Sequence, residues 1–125
     1  MSLFNFSPGD SVLMPTPPGM VRHLWFLCFV LKDGQEGIFV NLTDSENSED
    51  NTVILNPGDH PFVIKKSVIL YSRAMVFKRK NIETLLDKGI IFPNFPASEG
   101  LLSKINKGFM STSVVPEPVR LVLPV

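Results

Sequence analysis

The chain carries one unbroken apolar run, Leu24-Trp25-Phe26-Leu27-Cys28-Phe29-Val30-Leu31, set between Arg22-His23 and Lys32-Asp33-Gly34. Its length suits a strand and falls well short of the roughly 20 residues a membrane-crossing helix needs. Successive side chains of a strand point to opposite faces, so a run with no polar alternation is buried on both sides. A sheet covered on both faces is therefore the first expectation.

Turn residues divide the rest into short segments. Pro8-Gly9-Asp10 introduces a strand over residues 11–14, and Pro15-Thr16-Pro17-Pro18-Gly19 reads as a loop, because proline fixes φ and removes amide donors. A hairpin connection over residues 32–37 returns the chain into a strand over 38–43. The acidic stretch 44–50 reads as a solvated loop. A short strand over 52–55 ends at Asn56-Pro57-Gly58-Asp59, and a longer one over 67–77 is expected to bend near Ser72. Asn81 is a candidate cap for a helix through Lys88, stopped by Gly89. Ser98 is a candidate cap for a second, with Gly108 after it. Between them, residues 90–96 read as an extended segment pinned by Phe92 and Phe95, and Arg120-Leu121-Val122-Leu123 as a late strand. Short strands with Pro/Gly turns followed by short helices predict a mainly β, SH3-sized barrel in a single domain, 1–125.

A chain of 125 residues that is 44% hydrophobic can bury a core without disulfides or metals. The lone cysteine, Cys28, sits inside the apolar run, which fits a reducing, cytoplasmic setting. The first ten residues lack the basic start of a secretory signal, and no segment reads as membrane-spanning. Twelve basic and twelve acidic residues give a net charge of zero, so any attraction to nucleic acid has to come from local patches. One cysteine and two separated histidines cannot close a zinc site, and no glycine-rich phosphate loop is present; no metal or cofactor is expected.

The two histidines, His23 and His60, are candidate acid–base groups, since an ordinary imidazole titrates near pH 6.5. Each has a plain structural reading beside it: His60, between Asp59 and Pro61, suits a residue that fixes a turn through side-chain-to-backbone bonds. His23 and Arg22 are strand neighbours and would point to opposite faces. Lys65-Lys66 and Lys78-Arg79-Lys80 are the basic clusters able to touch a phosphate backbone, or equally to form a solvated face. Tyr71, the sole tyrosine, suits either a substrate contact or a buried anchor with its hydroxyl bonded.

The order of these features resembles the PemK/MazF growth-inhibitor family over residues 7–90. Gly9-Asp10-Ser11-Val12-Leu13 matches its Gly-Asp-led first strand, and Val21-Arg22-His23-Leu24 its arginine before an apolar strand. Leu42-Thr43-Asp44-Ser45 matches its Thr-Ser strand end, and Ser67-Val68-Ile69-Leu70 its Ser-led strand before a helix. Gly58-Asp59-His60-Pro61-Phe62 ahead of Ser67 and Tyr71 resembles a divergent branch. His23 replaces the family's proline, and Asp44 interrupts its Thr-Ser pair. The resemblance implies a PemK/MazF-type SH3-like barrel with two short C-terminal helices. It further implies a homodimeric type II toxin, partnered by an antitoxin, that is a metal-independent endoribonuclease on single-stranded RNA or an RNA-binding relative without cleavage. By position, Arg22 would hold the phosphate and Thr43 would donate to it, with His23 and His60 beside them. Asp59, Lys65, Lys66, Ser67 and Tyr71 would contact substrate. The reading from a different class is a non-catalytic SH3-like module that binds a protein through the 15–22 loop.

Overall fold

The computed structural model describes residues 4–17 and 19–124. Pro18 of the expected 15–19 loop, Met1–Leu3 of the N-terminal segment and Val125 of the tail lie outside the described residues. The chain folds into one 6-stranded antiparallel sheet in the order β4-β5-β3-β2-β1-β6. The strands are β1 (Ser11–Thr16), β2 (Val21–Leu31), β3 (Glu36–Asp44), β4 (Ile54–Leu55), β5 (Ser67–Lys78) and β6 (Phe92–Asn94). Helices α1 (Arg79–Asp87), α2 (Glu99–Ser111) and α3 (Glu117–Arg120) complete the fold. It is a small, mainly β, barrel-like fold.

The apolar run of β2 is divided between two cores. Leu24, Phe26 and Cys28 join Ile38, Val40 and Leu42 of β3 against Ile105 and Phe109 of α2. Trp25 and Leu27 face the other way, onto Phe39, Phe4, Phe6 and Ile82 of α1. The alternation slips at a β-bulge between Leu27 and Phe29, which turns both Cys28 and Phe29 toward the α2 side. The expected bend of β5 is also present: between the pairs Asn41↔Leu70 and Phe39↔Met75, residues 71–74 stand against Val40 alone.

Several boundaries differ from the sequence reading. β1 runs through Pro15 to Thr16, because β6 pairs only with residues 11–13 and leaves an open edge where a proline costs no ladder bond. β4 is only Ile54–Leu55. Helix α1 begins at Arg79 rather than after an Asn81 cap, since the Arg79 amide already donates to the Gln35 carbonyl (2.9 Å). Gly89 does end it, at φ 68°. Ser98 caps α2, its hydroxyl accepting from the Leu101 amide (3.1 Å). Gly108 lies inside α2, where it makes room for Tyr71. The tail forms α3 in place of a strand, with Pro116 at the N-cap and Pro118 in the first turn, where their fixed φ suits a helix start.

Burial pushes the thiol of Cys28 far up. The phenol of Tyr71 is also pushed up, first by desolvation, then by Cys28 and Asp50. In the unfolded chain these groups ionise from about pH 8.5 and about pH 10. Above those values the unfolded state holds fewer protons than the folded one, so stability falls as pH rises. The slope reaches about 1.4 kcal/mol per pH unit for each group. Urea midpoints are therefore expected to hold near neutrality and drop steeply above about pH 9, with Cys28→Ala delaying the onset toward the tyrosine range. A wild-type midpoint that stays flat to about pH 11 would show that neither proton is held by the fold.

Candidate functional site

The sheet ends where β2 starts and β3 stops, and the 60–66 segment before β5 closes over that end. A cleft of about 450 Å³ opens there, lined among others by Arg22, His23, Thr43, Phe62, Lys65 and Ser67. A second recess of about 280 Å³ adjoins it, sharing Val21, His23, Thr43 and Asn47 and extending to Thr16, Asn41 and Arg73. Arg22 and His23 alternate in direction along β2, yet both line the cleft because it wraps the strand's end.

Arg22 is exposed, and its guanidinium lies 5.2 Å from the centre of the Phe92 ring. It makes no ion pair among the described residues, so its planar fork of N–H donors is available to an anion. The ring of His23 sits 3.1 Å from the Val21 carbonyl through Nδ1. In the tautomer that donates this bond, Nε2 is left as an acceptor. Thr43 is buried, and its hydroxyl has no hydrogen-bond partner among the described residues. Ser67 is buried and donates its hydroxyl to the Lys65 carbonyl (2.9 Å). Lys65 bridges Glu46 and Asp44, each at 3.1 Å, and its hydrogen bonds to them hold the ammonium above the usual lysine range. The cleft thus combines one paired cation, one unpaired cation, a histidine and two hydroxyls.

The remaining residues singled out from sequence stand elsewhere. His60 is buried against Phe26; the Phe62 amide donates to its Nδ1 (3.0 Å), and its Nε2 donates to the Phe95 carbonyl (2.6 Å). Both ring nitrogens are engaged, and the residue ties the segment before β5 to the chain after β6. That segment, expected to be held by its aromatics, is held by backbone: Phe95 is exposed, and its carbonyl also accepts from the Ser11 hydroxyl (2.7 Å). Asp59 accepts from the Asn56 amide (2.7 Å) and fixes the 56–59 turn. Lys66 is exposed outside the cleft, and the carbonyl of Lys66 accepts from the Ser45 amide. Tyr71 has no exposure, and its hydroxyl donates to the Ile105 carbonyl (2.6 Å), so it anchors α2 and does not reach a ligand.

Asn41, Arg73 and Phe62 were not singled out by residue chemistry. Asn41 carried one signal, an amide between Val40 and Leu42 in the middle of a strand. Among the described residues no cluster of His, Cys, Asp or Glu is arranged to hold a metal, and no helix is long and apolar enough to cross a membrane. In comparisons with known proteins, no family model, curated protein or solved structure matches the chain.

Proposed function

We propose that the cleft binds single-stranded RNA and that the protein is a toxin-like, metal-independent endoribonuclease of PemK/MazF character. The observation that carries this reading is the gathering of Arg22 and His23, at the start of β2, and Thr43, at the end of β3, around one cleft. RNA carries its own nucleophile, so cleavage needs only a base for the 2′-hydroxyl and donors for the phosphorane. Nε2 of His23 takes the 2′-hydroxyl proton while the 2′-oxygen bonds to phosphorus. Arg22 and Thr43 donate to the non-bridging oxygens. The P–O5′ bond breaks, and the departing oxygen takes a proton from water at the open cleft mouth. Products are a 2′,3′-cyclic phosphate and a 5′-hydroxyl. Phe62, 39% exposed on the cleft wall, offers a ring face to an adjoining base.

Induced expression in bacteria, with growth followed and RNA 5′ ends mapped, tests the reading. Growth arrest with new 5′-hydroxyl ends is expected, and normal growth with intact RNA at high expression would sink the nuclease. A protein-binding module is the second reading, favoured by Val21 (62% exposed) and Ile64 (86%) on the cleft and by Met20 (58%), which precedes Val21 in the 15–22 loop. A pull-down that returns nucleic acid and no protein would count against it.

A further inference from the structure

The recess beside the cleft contains an unusual group. Asn41 is 1% exposed, lies opposite Trp25 on β2 and Leu70 on β5, and lines the recess together with Thr43 and Arg73. Its Oδ1 is buried without a hydrogen-bond partner, and its amide nitrogen has none among the described residues. A buried amide left unpaired is costly in a folded chain and calls for a physical reason.

The neighbouring polar groups do not supply a partner. Thr16, also on the recess, accepts from the Trp25 indole (3.1 Å) and donates to the Met14 carbonyl (3.2 Å), so its only proton is not available to Asn41 Oδ1. The Arg73 guanidinium is held at the rim by the Pro17 carbonyl (2.9 Å). His23 and Thr43 form the shared wall with the cleft where the phosphate would sit. An unstacked base next to that phosphate would enter this recess.

We infer that Asn41 is the base-selecting residue of the RNA site, bonding the donor–acceptor edge of one unstacked nucleobase held in the recess. A side-chain amide offers a donor beside an acceptor and can present either by rotating about its last torsion, the chemistry by which asparagine reads base edges. Arg73 closes the rim and covers the base or its flanking phosphate. This inference rests on the RNA reading of the cleft and adds to it a source of sequence preference.

The test is fluorescence anisotropy with short 2′-O-methylated homopolymers of A, C and U at one fixed salt concentration. These ligands lack the attacking hydroxyl and report binding alone. Wild type is expected to prefer one base by about tenfold or more. Asn41→Ser is expected to bring the preferred homopolymer down to the level of the others while leaving those unchanged. In the wild-type protein, the Asn41 side-chain NH2 resonances should shift on saturation with the preferred homopolymer; this readout holds even where the variant does not fold. Equal binding of all homopolymers, a uniform loss in the variant, or unmoved Asn41 resonances would each overturn base selection and leave RNA binding standing. Failure to bind any homopolymer would overturn the RNA reading as well.

Discussion

Gly108→Ala is expected to destabilise the protein by about 2–3 kcal/mol, lowering Tm by roughly 10 °C. The sign runs against helix propensity, which favours alanine over an interior glycine by about 1 kcal/mol. Packing decides the outcome. A Cβ at Gly108 would collide with the Tyr71 hydroxyl and stand 2.5 Å from Tyr71 Cζ and 2.9 Å from Val53 Cγ2. Tyr71 cannot yield cheaply, because its hydroxyl is bonded to Ile105 and its ring meets Phe109 edge-on with centroids 4.9 Å apart. Displacing it strands a buried donor, at about 1–3 kcal/mol, and breaks an aromatic pair, at about 0.5–1.5 kcal/mol. Tyr71→Phe supplies the control, since it removes the atom nearest the new methyl group. In that background Gly108→Ala should cost clearly less, a coupling that chemical denaturation of all four proteins measures. Additive costs would place the strain somewhere other than the hydroxyl.

The same pair shows where sequence reading runs out. Gly108 resembles a helix stop, because glycine usually marks a C-terminus. Only the tertiary partner, 37 positions upstream at Tyr71, explains a glycine in mid-helix. Residues 24–31 were legible for the opposite reason: strand alternation is local, so an unbroken apolar run already implied the two cores that Leu24 and Trp25 enter. Pro15 misled because its tolerance depends on an edge left open beyond residue 13, a fact about β6. At the tail, the run Arg120-Leu121-Val122-Leu123 suggested a strand, while Pro116 and Pro118 set a helical turn that carries Val119 into the core.

The cleft was half legible. Arg22, His23, Thr43, Lys65 and Ser67 were singled out from sequence and line it together. His60, Asp59 and Tyr71 are equally polar residues at turns or in strands, yet each is engaged with backbone. The setting of His60 between Asp59 and Pro61 already suited a backbone-bonded residue, but nothing local puts His23 on a cleft. Partner geometry does so, and it becomes visible only once β2, β3 and the 60–66 segment meet. Asn41 escaped for a related reason, since its isolation depends on Thr16 being engaged with Trp25 and Met14.

On the proposed reading, His23→Gln and Arg22→Ala should separate proton transfer from charge stabilisation. Glutamine keeps polarity near the Val21 carbonyl but cannot accept and release a proton, so His23→Gln is expected to lower kcat by about 10²–10⁴-fold. Binding of 2′-O-methylated RNA should be unchanged in that variant. Arg22→Ala removes the unpaired cation, and its loss should reach about 10²–10³-fold in kcat together with weaker binding and a shallower salt dependence. Arg22→Lys retains the charge but loses both the bidentate fork and the guanidinium contact with the Phe92 ring, so it should recover binding more fully than turnover. Single-turnover cleavage and anisotropy on the same three variants read both quantities. Wild-type turnover in His23→Gln would remove His23 as the base, and unchanged turnover and binding in Arg22→Ala would remove this cleft as the place of cleavage.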